Sequence, residues 1–93
     1  MIAVILEIWP RHREREKLTT MAAVLRPAMD QVDGFISVER FESLTEQGKI
    51  LVLSYWRDDA SLNHWLQSRN YQQIETTVRS SVVNYHVGIV NRH

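Results

Sequence analysis

The stretch Ser54-Tyr55-Trp56-Arg57-Asp58-Asp59-Ala60-Ser61-Leu62-Asn63-His64-Trp65 decides the fold of this chain. It reads as the end of a strand, an acidic cap and the first turns of a helix. Leu62, Trp65 and Leu66 recur at i, i+3, i+4, which gives that helix an apolar face. Asp58 or Asp59 can accept from the orphan amides of the first turn, and negative charge there suits the helix dipole. Trp56 closes the strand and Trp65 lies about two and a half turns later. Two large aromatics therefore bracket one strand-to-helix corner.

Upstream of the corner, Lys49 to Trp56 places Ile50, Val52 and Trp56 on one side and Leu51, Leu53 and Tyr55 on the other. A strand apolar on both sides is covered on both sides. Ser43 to Gly48 is polar and reads as a hairpin loop. It leads back to a strand over Phe35 to Glu42, with Phe35, Ser37, Glu39 and Phe41 on one side and Ile36, Val38, Arg40 and Glu42 on the other. Ile2 to Trp9 is a further strand, apolar on both faces except at Glu7, and Pro10 ends it. Between Arg11 and Val32 the period changes to 3.6. Leu18, Met21, Ala22, Leu25, Met29 and Val32 form one stripe of an amphipathic helix. Pro27 predicts a kink or break near Arg26, and Asp33-Gly34 supplies the stop.

Downstream, the helix that begins at Asp58 runs to about Ser68. A break follows at Ser68-Arg69-Asn70, with Asn70 placed to cap a new helix on which Tyr71, Ile74 and Val78 resume the spacing. The last strand, Val82 to Val90, carries Val83, Tyr85, Val87 and Ile89 on one face, while Asn84, His86 and Gly88 interrupt the other.

At 93 residues and 44% hydrophobic content the chain is expected to be one domain over 1–93. Eleven basic and eleven acidic residues cancel. The densest run, Arg11-His12-Arg13-Glu14-Arg15-Glu16-Lys17, alternates in sign and suits a solvated helix turn rather than a phosphate track. That argues against nucleic acid as a partner. The absence of cysteine excludes disulfides, thiolate catalysis and zinc–thiolate sites. No spacing among the four histidines and the carboxylates resembles a metal site. The apolar opening is broken by Glu7 and lacks a basic flank, so neither a membrane span nor a secretion signal is expected, and the cytoplasm is the expected compartment.

The order strand, helix, strand, strand, helix, strand gives an α+β, ferredoxin-like βαββαβ domain: a four-stranded antiparallel sheet with its helices on one face. The other face would be an apolar patch larger than a soluble monomer tolerates. Burying about 500 Å² of it would be worth on the order of 12 kcal/mol before association costs. A homodimer is therefore expected, its two sheets facing each other as a dimeric α/β barrel.

The element order, with Asp33-Gly34-Phe35-Ile36-Ser37-Val38-Glu39-Arg40-Phe41, Gly48-Lys49-Ile50-Leu51 and Ser54-Tyr55-Trp56-Arg57-Asp58 followed by Ala60 and Trp65, resembles the antibiotic biosynthesis monooxygenase family of dimeric α+β barrels. The resemblance implies oxygenation of a small electron-rich aromatic, quinol or polyketide-like, without metal or organic cofactor. In the polyketide-oxidising branch a tryptophan and a tyrosine six residues later line the cavity, and Trp65 and Tyr71 match that spacing. An asparagine four residues before the tryptophan belongs to the same pattern, and this chain has Ser61 there. Trp65, Tyr71, Trp56 and Ser61 are thus the candidates for substrate contact. In the haem-degrading branch a histidine ten residues after the tryptophan ligates iron, and here that residue is Glu75. The asparagine which that branch needs in the first strand is also missing, so a haem-binding variant is the weaker alternative.

Oxygenation of this type needs a base and a dry cavity. Trp65, Tyr71 and Glu39 are the catalytic candidates. On one continuous helix Trp65 and Tyr71 would sit about 240° apart, so only the break after Ser68 lets both face one pocket. The competing reading makes both ordinary core aromatics of a non-catalytic or stress-related barrel that binds a small hydrophobic ligand. A pocket filled by Leu, Met and Ile side chains would favour it. On a covered sheet Glu39 and Glu7 would be raised toward the pKa of a general base, although Glu39 could instead pair with an arginine across the dimer. Asn63 and His64 flank Trp65 and are expected to be solvated. His86 is expected to be a satisfied structural histidine, and His12 and His93 to be exposed.

Overall fold

The computed structural model describes residues 1–91, so the placement expected for His93 lies outside the described residues. The elements are β1 (Ile2–Pro10), α1 (Arg15–Asp30), β2 (Phe35–Glu42), β3 (Ile50–Trp56), α2 (Asp59–Leu66), α3 (Arg69–Ser81) and β4 (Val82–Asn91). The strands form one antiparallel sheet in the order β2-β3-β1-β4.

Strand register determines which side chains meet the helices. Ile2 lies opposite Trp56, Val4 opposite Ser54, Leu6 opposite Val52 and Ile8 opposite Ile50. Of these, Ile2, Val4, Leu6, Ile8, Val52 and Trp56 pack against Leu18, Met29, Leu62, Trp65, Ile74 and Val78 from the three helices. The alternate residues, Ala3, Ile5, Glu7, Leu51, Leu53 and Tyr55, point to the other face, which no helix among the described residues covers. On β2 the register shifts between Phe35 and Ser37. The extra residue puts Phe35 on the helix side against Trp56 and leaves Ile36 exposed. Ser37, Glu39 and Phe41 stay opposite Tyr55, Leu53 and Leu51 on the open face. Strict alternation fails to place Phe35 for this reason.

Three helix boundaries differ from expectation. Arg13 adopts a positive φ of 73° in the turn after β1, and α1 begins only at Arg15. Helix α1 then runs through Pro27 without a break. Its buried Leu25 and inward Met29 flank the exposed proline, and Arg26 Nε bonds Asp30 Oδ1 at 3.0 Å across that turn. Packing outweighs the one lost amide bond. Ala22, read as part of the stripe, is exposed, and Ala28 packs inward instead. The cap of α3 is Ser68 rather than Asn70.

Candidate active site

The corner after β3 is built by short-range bonds. Asp58 is extended and caps α2, its Oδ1 accepting from the Ser61 amide at 2.8 Å and the Ser61 hydroxyl at 2.7 Å. Arg57 Nε donates to Asp58 Oδ2 at 2.9 Å. Its terminal nitrogens donate to both carboxylate oxygens of Asp33 at 3.3 and 3.2 Å, and one reaches Ser61 Oγ at 3.3 Å. The Arg57 amide donates to Gly34 O at 2.7 Å, which ties the start of β2 to the end of β3.

Those bonds shift the charges of the corner. The Ser61 hydroxyl and amide, with Arg57, hold the Asp58 carboxyl well below the usual carboxylate range. Asp33 and Asp58 push Arg57 further above its ordinary value. A carboxyl depressed in the folded state stabilises the fold above its ordinary pKa, 3.8 here, and that contribution fades as pH falls toward the folded value. Asp58→Ala should therefore lower the melting midpoint by several degrees near neutrality. The gap to the parent should close in melts taken at successively lower pH below about 4.

Behind the corner stands an aromatic row. Phe35 meets Trp56 edge-on at 5.2 Å, Trp56 stacks on Trp65 at 6.1 Å, and Trp65 meets Tyr71 edge-on at 6.3 Å. Trp56 is 1% exposed, and its indole N–H donates to Ser54 Oγ at 3.0 Å. The break between α2 and α3 brings Tyr71 to Trp65. Ser68 Oγ donates to the Trp65 carbonyl at 2.6 Å and accepts from the Tyr71 amide at 3.2 Å, so one hydroxyl fixes both ring-bearing residues. Burial, then the nearby Glu75 charge, pushes the Tyr71 phenol up and keeps its proton on.

A surface cleft of about 600 Å³ opens beside this row, lined among others by Val32, Asp33, Arg57, Ser61, His64 and Trp65. Trp65 and Ser61 border it directly. Tyr71 touches it only through Trp65, and Trp56 lies beneath. The inner side of Trp65 is packed by Ile2 and Leu62, with Met29, Leu66 and Ile74 around them. Glu39 is not part of this site: it is exposed on the open face of the sheet, opposite Leu53.

Glu7 is on the open face as well, and its pKa moves against expectation. The Lys49 ammonium at 2.9 Å holds it below the ordinary carboxylate range, an effect that outweighs desolvation. His86 approaches Glu7 at 3.9 Å and is exposed. Glu75, at the haem-ligand spacing, forms an ion pair with Arg79. Among the described residues no group of three or more His, Cys, Asp or Glu could hold a metal.

Sequence reasoning missed Arg57 and Ser68 as organisers and His64 as a residue of the cleft. Ser68 was legible as a serine three residues before Tyr71, the N-cap spacing. His64 follows Ser61 by three residues, which puts both on one side of α2.

A four-stranded antiparallel sheet roofed by helices on one face, with an aromatic row behind a capped corner, defines a small ferredoxin-like α+β domain. The chain belongs to the antibiotic biosynthesis monooxygenase family, whose model matches residues 1–77. It is 37% identical over 90 residues to the jasmonate monooxygenase ABM of Pyricularia oryzae. That match covers 96% of this chain and 42% of the relative, so the chain spans well under half of the relative's length. Among solved structures, a conserved protein from Methanosarcina mazei superposes with a TM-score of 0.90 at 15% identity, covering 99% of this chain and 92% of that one. Rv0793 from Mycobacterium tuberculosis superposes with a TM-score of 0.88 at 20% identity, covering 99% and 94%. Those two likenesses concern the fold alone.

Proposed function

We propose that this chain is a monooxygenase acting on a small, planar, electron-rich aromatic, quinol or polyketide-like, with no metal or organic cofactor. Family membership and the monooxygenase name of the 37% identical relative support the reaction class. That relative's name specifies a jasmonate, and the aromatic class rests instead on Trp65 and Tyr71. The observation that carries the reading is their edge-on contact at 6.3 Å, made across the helix break, with Trp65 lining the cleft and Tyr71 behind it. Both offer a flat apolar surface and one polar hydrogen, the recognition an aromatic ring with hydroxyls needs. The protein's share of the work is to bind the ring, exclude water and favour the anion that passes an electron to O2.

The open sheet face, carrying Ile5, Leu51, Leu53 and Tyr55, is read as the surface that a second copy covers. Among the described residues no helix is long and apolar enough to cross a membrane, and a cytoplasmic homodimer is the proposed working form.

The packing of Ile2, Leu62, Met29 and Ile74 around Trp65 supports a second reading, a non-catalytic barrel that holds a hydrophobic ligand only at the cleft. Oxygen uptake with a panel of hydroquinones and anthrones separates the two. The oxygenase reading expects uptake by the parent and at least a tenfold loss of kcat/KM in both Trp65→Phe and Tyr71→Phe. Turnover unchanged in both variants removes these residues from the reaction, and no uptake on any substrate favours the ligand-binding barrel.

A further inference from the structure

We infer that His64 takes the proton from the hydroxyl of a phenolic substrate in the cleft beside Trp65; this rests on the oxygenase reading above. Oxygenation through a substrate anion requires a proton acceptor within reach of the bound ring. Neither aromatic candidate supplies one: an indole has no basic nitrogen, and burial keeps the Tyr71 phenol protonated. Ser61 is buried, and its hydroxyl already donates to Asp58.

Asp33, Arg57 and His64 are the ionisable side chains that line the cleft. The first two are committed to each other through a two-point contact at 3.3 and 3.2 Å. Asp58 adds a second carboxylate, and the guanidinium is held protonated by both. Among the described residues the His64 side chain enters no hydrogen bond or ion pair, and it is exposed on the side of α2 that it shares with Ser61. Asp33 and Arg57 are the charged groups that share the lining of the cleft with it, beside the neutral Ser68 and Asn70, and Asp58 is bonded to Arg57.

The step is a single proton transfer. The substrate O–H bond breaks, its electron pair stays on oxygen as the phenolate, and the proton forms an N–H bond on the imidazole. Electron transfer from that anion to O2 follows and asks nothing further of His64.

The test uses 4-nitrophenol, whose ionised form absorbs visible light, added to the whole chain at a pH below the probe's own pKa. The parent should raise the ionised fraction. His64→Gln should abolish that rise while its far-UV spectrum and melt stay those of the parent, because the side chain is exposed. With a hydroquinone that the parent oxidises, the same variant should lose about 10²–10⁴ in kcat/KM. A probe that remains protonated with the parent, or ionises equally with His64→Gln, overturns the assignment. Ionised probe without oxygen uptake on any substrate keeps His64 as the proton acceptor and removes the oxygenase reading instead.

Discussion

Trp56→Ala is expected to cost about 3–5 kcal/mol, the range for removing a large ring from a packed core. Trp56 is 1% exposed, lies opposite Ile2 in the sheet, stacks on Trp65 and meets Phe35 edge-on. Neither neighbour can slide into the space: Phe35 is held by its strand and Trp65 by the turns of α2. Removal also takes the indole donor from Ser54 Oγ, which is buried at 8% exposure. A domain of this size has about 5–15 kcal/mol in all, so the variant should be near its unfolding limit at physiological temperature. Urea denaturation followed by fluorescence of the remaining tryptophans reads the midpoint. Trp56→Phe should lose less, since a ring remains while the Ser54 hydroxyl goes unpaired. A loss under about 1 kcal/mol in the alanine variant would mean that the aromatic row is not a packed core.

What the sequence made legible follows the strength of each local signal. The apolar runs Ile2–Trp9 and Lys49–Trp56 identified two strands, and the alternation assigned Ile50, Val52 and Trp56 to one side as found. The acidic pair after Trp56 marked the helix start, and the extended backbone of Asp58 selects it over Asp59. What escaped were places where tertiary contact overrides a local rule. Pro27 reads as a break, yet inward Leu25 and Met29 carry the helix across it. Phe35 reads as facing with Ser37, and one register shift reverses it. Glu7 reads as a desolvated carboxyl, and Lys49, distant in sequence, supplies the compensating charge. The site divides the same way. The 240° separation on a continuous helix and the break that cancels it were both readable, and the two rings meet across that break, although only Trp65 lines the cleft. That Asp33 and Arg57 would neutralise each other and leave His64 unpaired depends on loops meeting across the corner, which no periodicity records.

Gly34→Ala should be the most damaging single-methyl change in the chain. Gly34 has φ +92°, a conformation that costs an L-residue about 1–2 kcal/mol. Its added Cβ would also fall 1.9 Å from Ser61 Oγ and 2.5 Å from Ser61 Cβ. Ser61 cannot turn aside, because its amide and hydroxyl are both bonded to Asp58 Oδ1 and its backbone belongs to α2. Either α2 lifts from the start of β2 or the Arg57 amide loses its 2.7 Å bond to the Gly34 carbonyl. Overpacking of that order adds about 1–3 kcal/mol, for a total loss of about 2–5 kcal/mol. Gly48 is the matched control. Its φ is +86°, but an added Cβ there meets nothing within 4 Å, so Gly48→Ala carries the backbone cost alone. The difference between the two variants in urea titrations isolates the contact with Ser61. Combining Gly34→Ala with Ser61→Gly should recover that difference and no more, since removing the serine side chain leaves the backbone strain in place. Equal losses at Gly34 and Gly48 would mean that the corner closes more loosely than the 1.9 Å approach requires.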